Sequence, residues 1–449
     1  MGRAIRFLIL GLLCFMPCTG WANELTPADR GKKALESSSF IAPIWKYSAY
    51  ENAWKTWGLA QKPGNYSRAV QQRYGLHEAP YANDGLPMGL RKSSFLFVNG
   101  IAADCMLCHG GSILGKSVVG LGNTSLDIQG LFAELAASDG RNSALPLTFG
   151  HVRGTSEAGA FAVYLLGFRN PDLSLRTPRT NLDLHDDLVE DTPAWWLLKK
   201  KKTMYHTGGT DARSVRSKMQ FMMTPLTSAA DFSRHESTFT EIEAYLRTLQ
   251  PPPYPLPIDK KRAQTGEAIF RSQCSKCHGT YGADWTYPNK IVPLAEIGTD
   301  PNRFRGITQA FGDYYNRSWF AHEKSGWIQD GYRVKPTSGY QAPPLDGIWA
   351  TAPYLHNGSL PTLYDVLNSK HRPQRFTRSF GTHLEDYDEV HIGWKSQPVT
   401  RQQYERMSER EKRHVYDTTL TGRHNTGHTY GDDLTEEERM AVLEYLKGL

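Results

Sequence analysis

Two pentapeptides constrain this chain more than anything else in it: Cys105-Met106-Leu107-Cys108-His109 and Cys274-Ser275-Lys276-Cys277-His278. Each reads C-x-x-C-H. Two thiols at this spacing stand about one helical turn apart, close enough to reach neighbouring substituents on the edge of one planar ring. The histidine next in line is then held beneath that ring. This is the attachment signature of a c-type haem, with two thioether bonds and a fixed axial nitrogen. A thioredoxin-like redox pair or half of a zinc site also uses C-x-x-C. Neither pentad has further Cys or His at zinc-finger spacing, and neither sits in a βαβ pattern. The sequence therefore predicts two covalently bound haem c groups. Cys105, Cys108, Cys274 and Cys277 would attach them, and His109 and His278 would be the proximal iron ligands.

The N-terminus predicts export. Arg3 and Arg6 precede the apolar run Phe7-Leu8-Ile9-Leu10-Gly11-Leu12-Leu13-Cys14-Phe15, and Gly20-Trp21-Ala22 follows as a small-residue site. That order is a leader, residues 1–22, cleaved after Ala22. The run is too short for a stable transmembrane helix; an uncleaved anchor is the alternative. Cleavage removes Cys14 and Cys18, leaving four of the six cysteines, all in the pentads. The mature chain then has no cysteine for a disulfide, although it is expected in the periplasm or secreted. Charge adds little. The 52 basic and 46 acidic residues give +6, no nucleic-acid signature is present, and Lys199-Lys200-Lys201-Lys202 reads as a solvated helix face.

A chain of 449 residues is long enough for two or three domains. The run Pro251-Pro252-Pro253-Tyr254-Pro255-Leu256-Pro257 cannot continue a helix and reads as a semi-rigid spacer. It separates a first haem domain, 23–250, from a second, 260–449, with 251–259 as the linker. Helices are expected over 128–138, 157–167, 241–249 and 261–272, with another starting near Pro193. A last helix is expected behind the Thr435 and Glu438 capping box. The helix-ending stretches Ile-Glu-Ala-Tyr-Leu-Arg-Thr-Leu and Val-Leu-Glu-Tyr-Leu-Lys-Gly-Leu, at 242–249 and 442–449, are alike. The expected fold is mainly α: two enlarged cytochrome c-like haem domains in tandem, with long irregular loops. The region 370–425 is expected to be one such structured loop, and the aromatics Trp45, Tyr47, Tyr50, Trp54 and Trp57 are left unassigned.

Residues 344–359 carry a family resemblance. The stretch Ile348-Trp349-Ala350-Thr351-Ala352-Pro353-Tyr354-Leu355-His356-Asn357-Gly358-Ser359 resembles a segment of bacterial dihaem cytochrome c peroxidases and of the dihaem enzyme that matures methylamine dehydrogenase. With Gly422-Arg423-His424-Asn425-Thr426-Gly427-His428 near the C-terminus, it is most similar to the dihaem rubber-oxygenase branch. The resemblance covers roughly 260–449 well and 40–250 loosely. It implies a reactive N-terminal haem and a six-coordinate C-terminal haem that passes electrons. The peroxidases carry a methionine about fourteen residues after the motif histidine; here Lys370 stands there, so a second histidine fits better.

His428 is accordingly the expected sixth ligand of the second haem. His356 is its rival, read instead as a group that orients the haem beside its propionates. Met407 and Met440 are read as surface and core. No ligand stands out for the first haem, because Met219, Met222 and Met223 read as packing. Trp195, Trp196 and His206 are candidates for the distal side of the first haem, by positional analogy. The expected function is an exported dihaem c-type oxidoreductase. Electrons would pass through the C-terminal haem to or from an N-terminal haem that reacts with peroxide or dioxygen, and a small redox protein would exchange them. The alternatives are a dihaem electron carrier without substrate chemistry and a haem-dependent oxygenase acting on a hydrophobic substrate.

Overall fold

The computed structural model describes residues 24–142, 147–323 and 331–449; the expected leader lies outside them. Two crossed helix pairs frame the molecule. The helix Pro27–Ser37 starts at a capping box made by Thr26 and Asp29, with Pro27 in its first turn. It crosses the helix Ala229–Leu246, and Arg30 Nε meets Glu241 Oε1 across the pair at 2.6 Å. In the second half, Lys260–Gln273 crosses Glu436–Leu446, whose capping box is made by Thr435 and Glu438 as expected. Each crossing turns on one glycine. A Cβ on Gly31 would lie 1.9 Å from the Glu241 carbonyl oxygen, and a Cβ on Gly266 would lie 1.9 Å from that of Ala441. The two helix backbones touch at these points, and only a residue without a side chain permits it.

The halves differ in what lies between that glycine and the pentad. Gly266 precedes Cys274 by eight residues, whereas Gly31 precedes Cys105 by 74. The extra chain builds a sheet in which Val98–Ala103 pairs antiparallel with both Leu90–Phe95 and Trp45–Lys46. Trp45, Tyr50 and Tyr74, together with Val70 and Leu76, form one core with Leu107 of the pentad and with Leu131 and Leu135. The N-terminal aromatics are thus the packing behind the first pentad.

The fold is mixed rather than mainly α. Among the described residues there are fourteen strands, the longest six residues, in six small sheets. The long insertions satisfy their backbone groups with short hairpins rather than lying as bare loop. Region 370–425 is one such case: Arg375–Thr377 pairs with Gln397–Pro398 on one side and Val415–Asp417 on the other. The helices Ile128–Ser138 and Ala158–Leu166 form as expected. The helix expected over 241–249 begins twelve residues earlier and ends at Leu246.

The halves share their cores. Phe311, Tyr314, Tyr315 and Phe320 pack into the cluster that holds Met88, Met106, Trp195 and Phe232. Conversely Ile113, Leu121, Trp196 and Leu197 pack with Phe270, Trp349, Tyr387 and Val442. Trp349 Nε1 donates to the Pro252 carbonyl at 3.0 Å, which docks the proline run on the second core. Among the described residues, no helix is long and apolar enough to cross a membrane.

Candidate haem-attachment sites

The second pentad follows its helix directly, and Ser275–His278 forms one further turn. His278 Nδ1 lies 2.8 Å from the Pro343 carbonyl. A carbonyl can only accept, so Nδ1 carries the proton and Nε2 of the neutral ring is left free to bind a metal. Burial pushes the ring's pKa down, which keeps it neutral.

His428 faces His278. The two ring centroids are 6.2 Å apart at 58°. Two metal–nitrogen bonds of about 2.0 Å, plus about 1.1 Å from each nitrogen to its ring centre, give about 6.2 Å. His428 sits in the left-handed region at φ 45, on a loop held by four hydrogen bonds and one close backbone approach. Its N–H donates to Ile297 O at 2.8 Å. Arg372 donates to the carbonyls of Asn425 and Gly427 at 2.7 Å and to that of His428 at 3.1 Å. Gly427 abuts the backbone of Gly298 so closely that no side chain fits. Burial, then the neighbouring His278, pushes His428 down to about 4. Both imidazoles are neutral at physiological pH, as metal ligands must be.

The pentad and His428 open onto one cleft of about 1820 Å³ of atom-free space, its mouth open to solvent. Phe270, Leu363, Leu367, Val442 and Leu446 form an apolar wall against which Cys274 packs. Asp191, Lys201, His206, Gln341 and His356 are among its polar lining. Six buried polar atoms along this one cleft lack a hydrogen-bond partner: Asp191 Oδ1, Thr299 Oγ1, Gln341 Oε1, Asp346 Oδ2, His356 Nε2 and His428 Nδ1. Buried polar groups are ordinarily paired, so the cleft is shaped for a group that brings polar atoms of its own. An apolar wall beside two thiols, two opposed imidazoles and a polar margin fits a haem c.

The first pentad is delivered by a hairpin. Asp104 Oδ1 accepts from the Met106 N–H at 2.8 Å, and Asp104 is paired with buried Arg91 at 2.9 Å. Beyond His109 the chain turns into a second hairpin, Gly110–Ile113 with Lys116–Val119. The Gly120 N–H donates to His109 O, and the Trp195 N–H donates to Gly120 O, both at 2.8 Å. The Trp195 ring then stacks on the His109 ring at 4.5 Å and 22°. Burial pushes His109 down to about 4, with the nearby Pro193 carbonyl acting the other way.

Residues 190–197 form the partition between the two sites. Trp195 lies on His109, while Asp191, Thr192, Pro193, Ala194 and Leu197 line the cleft of the second pentad. The helix expected to start near Pro193 is only the turn Trp195–Lys199.

Sequence reasoning missed the charges here. Glu190 is buried and paired with buried Arg303, Nε to Oε2 at 2.7 Å, and accepts from the Gly159 N–H at 2.8 Å. Burial works against its charge, but Arg303 outweighs it and holds the carboxyl below its usual range. Burial pushes Asp191 well above that range. It pushes Glu157 up to about 7, although His151 Nδ1 lies 2.9 Å from Glu157 Oε1. The far nitrogen of His151 lies 3.3 Å from Asp187. No spacing rule brings positions 157, 190 and 303 together; only the fold does.

A group across an iron from His109 would stand off as His428 does from His278, and at 4.5 Å Trp195 is too close. Trp195 therefore lies on the proximal side, not the distal one expected. Trp196 faces the shared core and donates from Nε1 to Asp346 O at 2.8 Å. His206 lines the second cleft, with its Nε2 2.9 Å from Asp191 O. His356 lines the same cleft, stacked on Tyr340 at 4.0 Å. Met219, Met222 and Met223 are buried in an apolar cluster with Phe232 and Phe239. The lysine run is not a solvated face: Lys200 pairs with Asp346 at 2.8 Å with its side chain 7% exposed, and Lys201 lines the cleft.

Comparison with known proteins agrees with this chemistry. Residues 339–377, which supply much of the cleft wall, match the family described as RoxA-like, cytochrome c-like. The uncharacterized protein y4iM of Sinorhizobium fredii (strain NBRC 101917 / NGR234) is 28% identical over 261 residues, covering 54% of this chain and 57% of that protein. Cytochrome-c peroxidase IdrP1 of Denitromonas iodatirespirans is 27% identical over 166 residues, 31% of this chain and 41% of that one. The matches thus span less than two thirds of these relatives. Among solved structures, a MauG-like protein associated with microbial copper homeostasis aligns over 68% of this chain and 94% of its own. It does so at 16% identity and a TM-score of 0.32. The cytochrome c-like match and the peroxidase relative make the chain similar to dihaem cytochrome c peroxidase-like proteins.

Proposed function

We propose that the chain is an exported dihaem c-type oxidoreductase with two unlike irons. One observation carries the reading. His278 has a second imidazole at ligand distance across its site. Among the described residues, the ring against His109 is a tryptophan on the proximal side. Haem c supplies one-electron chemistry at both sites and, where the iron lacks a strong sixth ligand, uptake of peroxide or dioxygen. The residues divide the work. Pro343 fixes the tautomer of His278, and Arg372 holds the loop that presents His428. Trp195 and Trp196 join the first site to the wall of the second. Asp187, His151 and Glu157 form a line from partly exposed to fully buried groups, along which a proton can reach the interior near Glu190. A small redox protein supplies or removes the electrons.

Intact mass and ferric spectra test this. The mature protein is expected to lack residues 1–22 and to carry two covalent haems, one low-spin and one with a high-spin component. His428→Ala is expected to convert the low-spin haem to high spin and to raise its potential, because a bis-histidine iron sits lower than one that has lost a histidine donor. A mass with fewer than two haems, from cells competent in cytochrome c maturation, contradicts the reading. So does a shift produced by His356→Ala while His428→Ala leaves the spectrum unchanged.

A further inference from the structure

Of the four lysines at 199–202, three have ordinary surroundings. Lys199 bonds to the Gln250 side chain, Lys200 pairs with Asp346, and Lys202 is exposed. Lys201 is different. It lines the cleft of the second pentad, among Tyr205, His206 and Gln341. Among the described residues no carboxylate pairs with it, and burial alone pushes its amine down to about 8. The carboxylates nearest along the lining are already committed. Asp346 takes Lys200, and burial pushes the Asp191 carboxyl well above the usual range, which disfavours its charge. Lys201 is partly exposed, and an ammonium drawn into a cleft without an anion is costly, so proteins pair such a charge or neutralise it. An anion that enters the cleft would complete the pair. In the same cleft, Cys274 packs on the apolar wall of Phe270, Leu363 and Val442, where the porphyrin's thioether edge belongs. A haem attached there carries its carboxylates at the edge away from the thioethers.

We infer that Lys201 is the counter-charge of a propionate of the second haem and sets that haem's potential. The inference rests on the reading that the second pentad carries a haem ligated by His278 and His428. A fixed positive charge beside the propionate disfavours the ferric state, which holds one more positive charge than the ferrous state. Removing it stabilises ferric iron.

The test is spectroelectrochemical titration of the mature protein and of Lys201→Met and Lys201→Arg, following the low-spin haem. At the wild-type midpoint, Lys201→Met is expected to raise the ferric-to-ferrous ratio about tenfold, equivalent to about 59 mV for a one-electron couple. Lys201→Arg is expected to keep the ratio within about twofold. Should Lys201→Met fail to mature, Lys201→Gln takes its place with the same expectation. A neutral variant with both haems attached and an unchanged midpoint overturns the role of Lys201 and leaves the bis-histidine site standing. A wild-type mass with no haem on Cys274 and Cys277 overturns both.

Discussion

The rings of His109 and Trp195 stack at 4.5 Å and 22°. The next residue, Trp196, donates to the Asp346 carbonyl in the wall of the second cleft, so two adjacent indoles connect the sites. Replacing Trp195 by Leu is expected to slow electron exchange between the haems at least about tenfold, equivalent to about 1.4 kcal/mol of barrier. The measurement is transient absorption after photoreduction, with haem content and thermal midpoint checked alongside. An unchanged rate in a folded variant would reduce Trp195 to packing.

The helix crossings give a test independent of haem chemistry. Gly266→Ala and Gly31→Ala each force a Cβ against a backbone carbonyl, and each is expected to destabilise the protein by about 1–3 kcal/mol. Gly64→Ala is the control, because nothing lies within 4 Å of its added Cβ. Denaturant midpoints of the three variants decide. Equal effects at all three positions would contradict close packing at the crossings.

Glu157 gives the pH dependence. Its folded pKa is raised by burial to about 7 from the ordinary 4.5 of a glutamate. Between those values the folded chain keeps a proton that the unfolded chain has lost. The contribution to stability is therefore fully present below about pH 4.5 and lost as pH rises through 7. Its size is on the order of 3 kcal/mol at most. Denaturant midpoints across pH 4–8 are expected to fall with rising pH in the wild type and to flatten in Glu157→Gln. Identical slopes would place the titration elsewhere.

Much of this architecture was legible because it is local. The pentads, the capping box at Thr435 and Glu438 and the histidine at 428 are spacings and short motifs; the fold forms that cap and sets His428 beside His278. Three things were not legible. The helix Pro27–Ser37 has a readable start at Thr26-Pro27-Ala28-Asp29, but 74 residues hide its relation to Cys105. Trp195 could be located near the first pentad but not assigned a face, because the face depends on the bond from its N–H to Gly120. Lys201 was lost among three lysines whose surroundings differ only in three dimensions.

The central claim is that the two irons are unlike, one closed by His428 and one open. Carbon monoxide binds reduced haem iron only where a coordination position is free or weakly held. Titration of the fully reduced protein, followed in the Soret band, is the most direct measurement. One carbon monoxide per chain is expected, rising to two in His428→Ala with the original site retained. No binding to the native protein would make it an electron carrier, and two per native chain would mean that His428 does not close the second site.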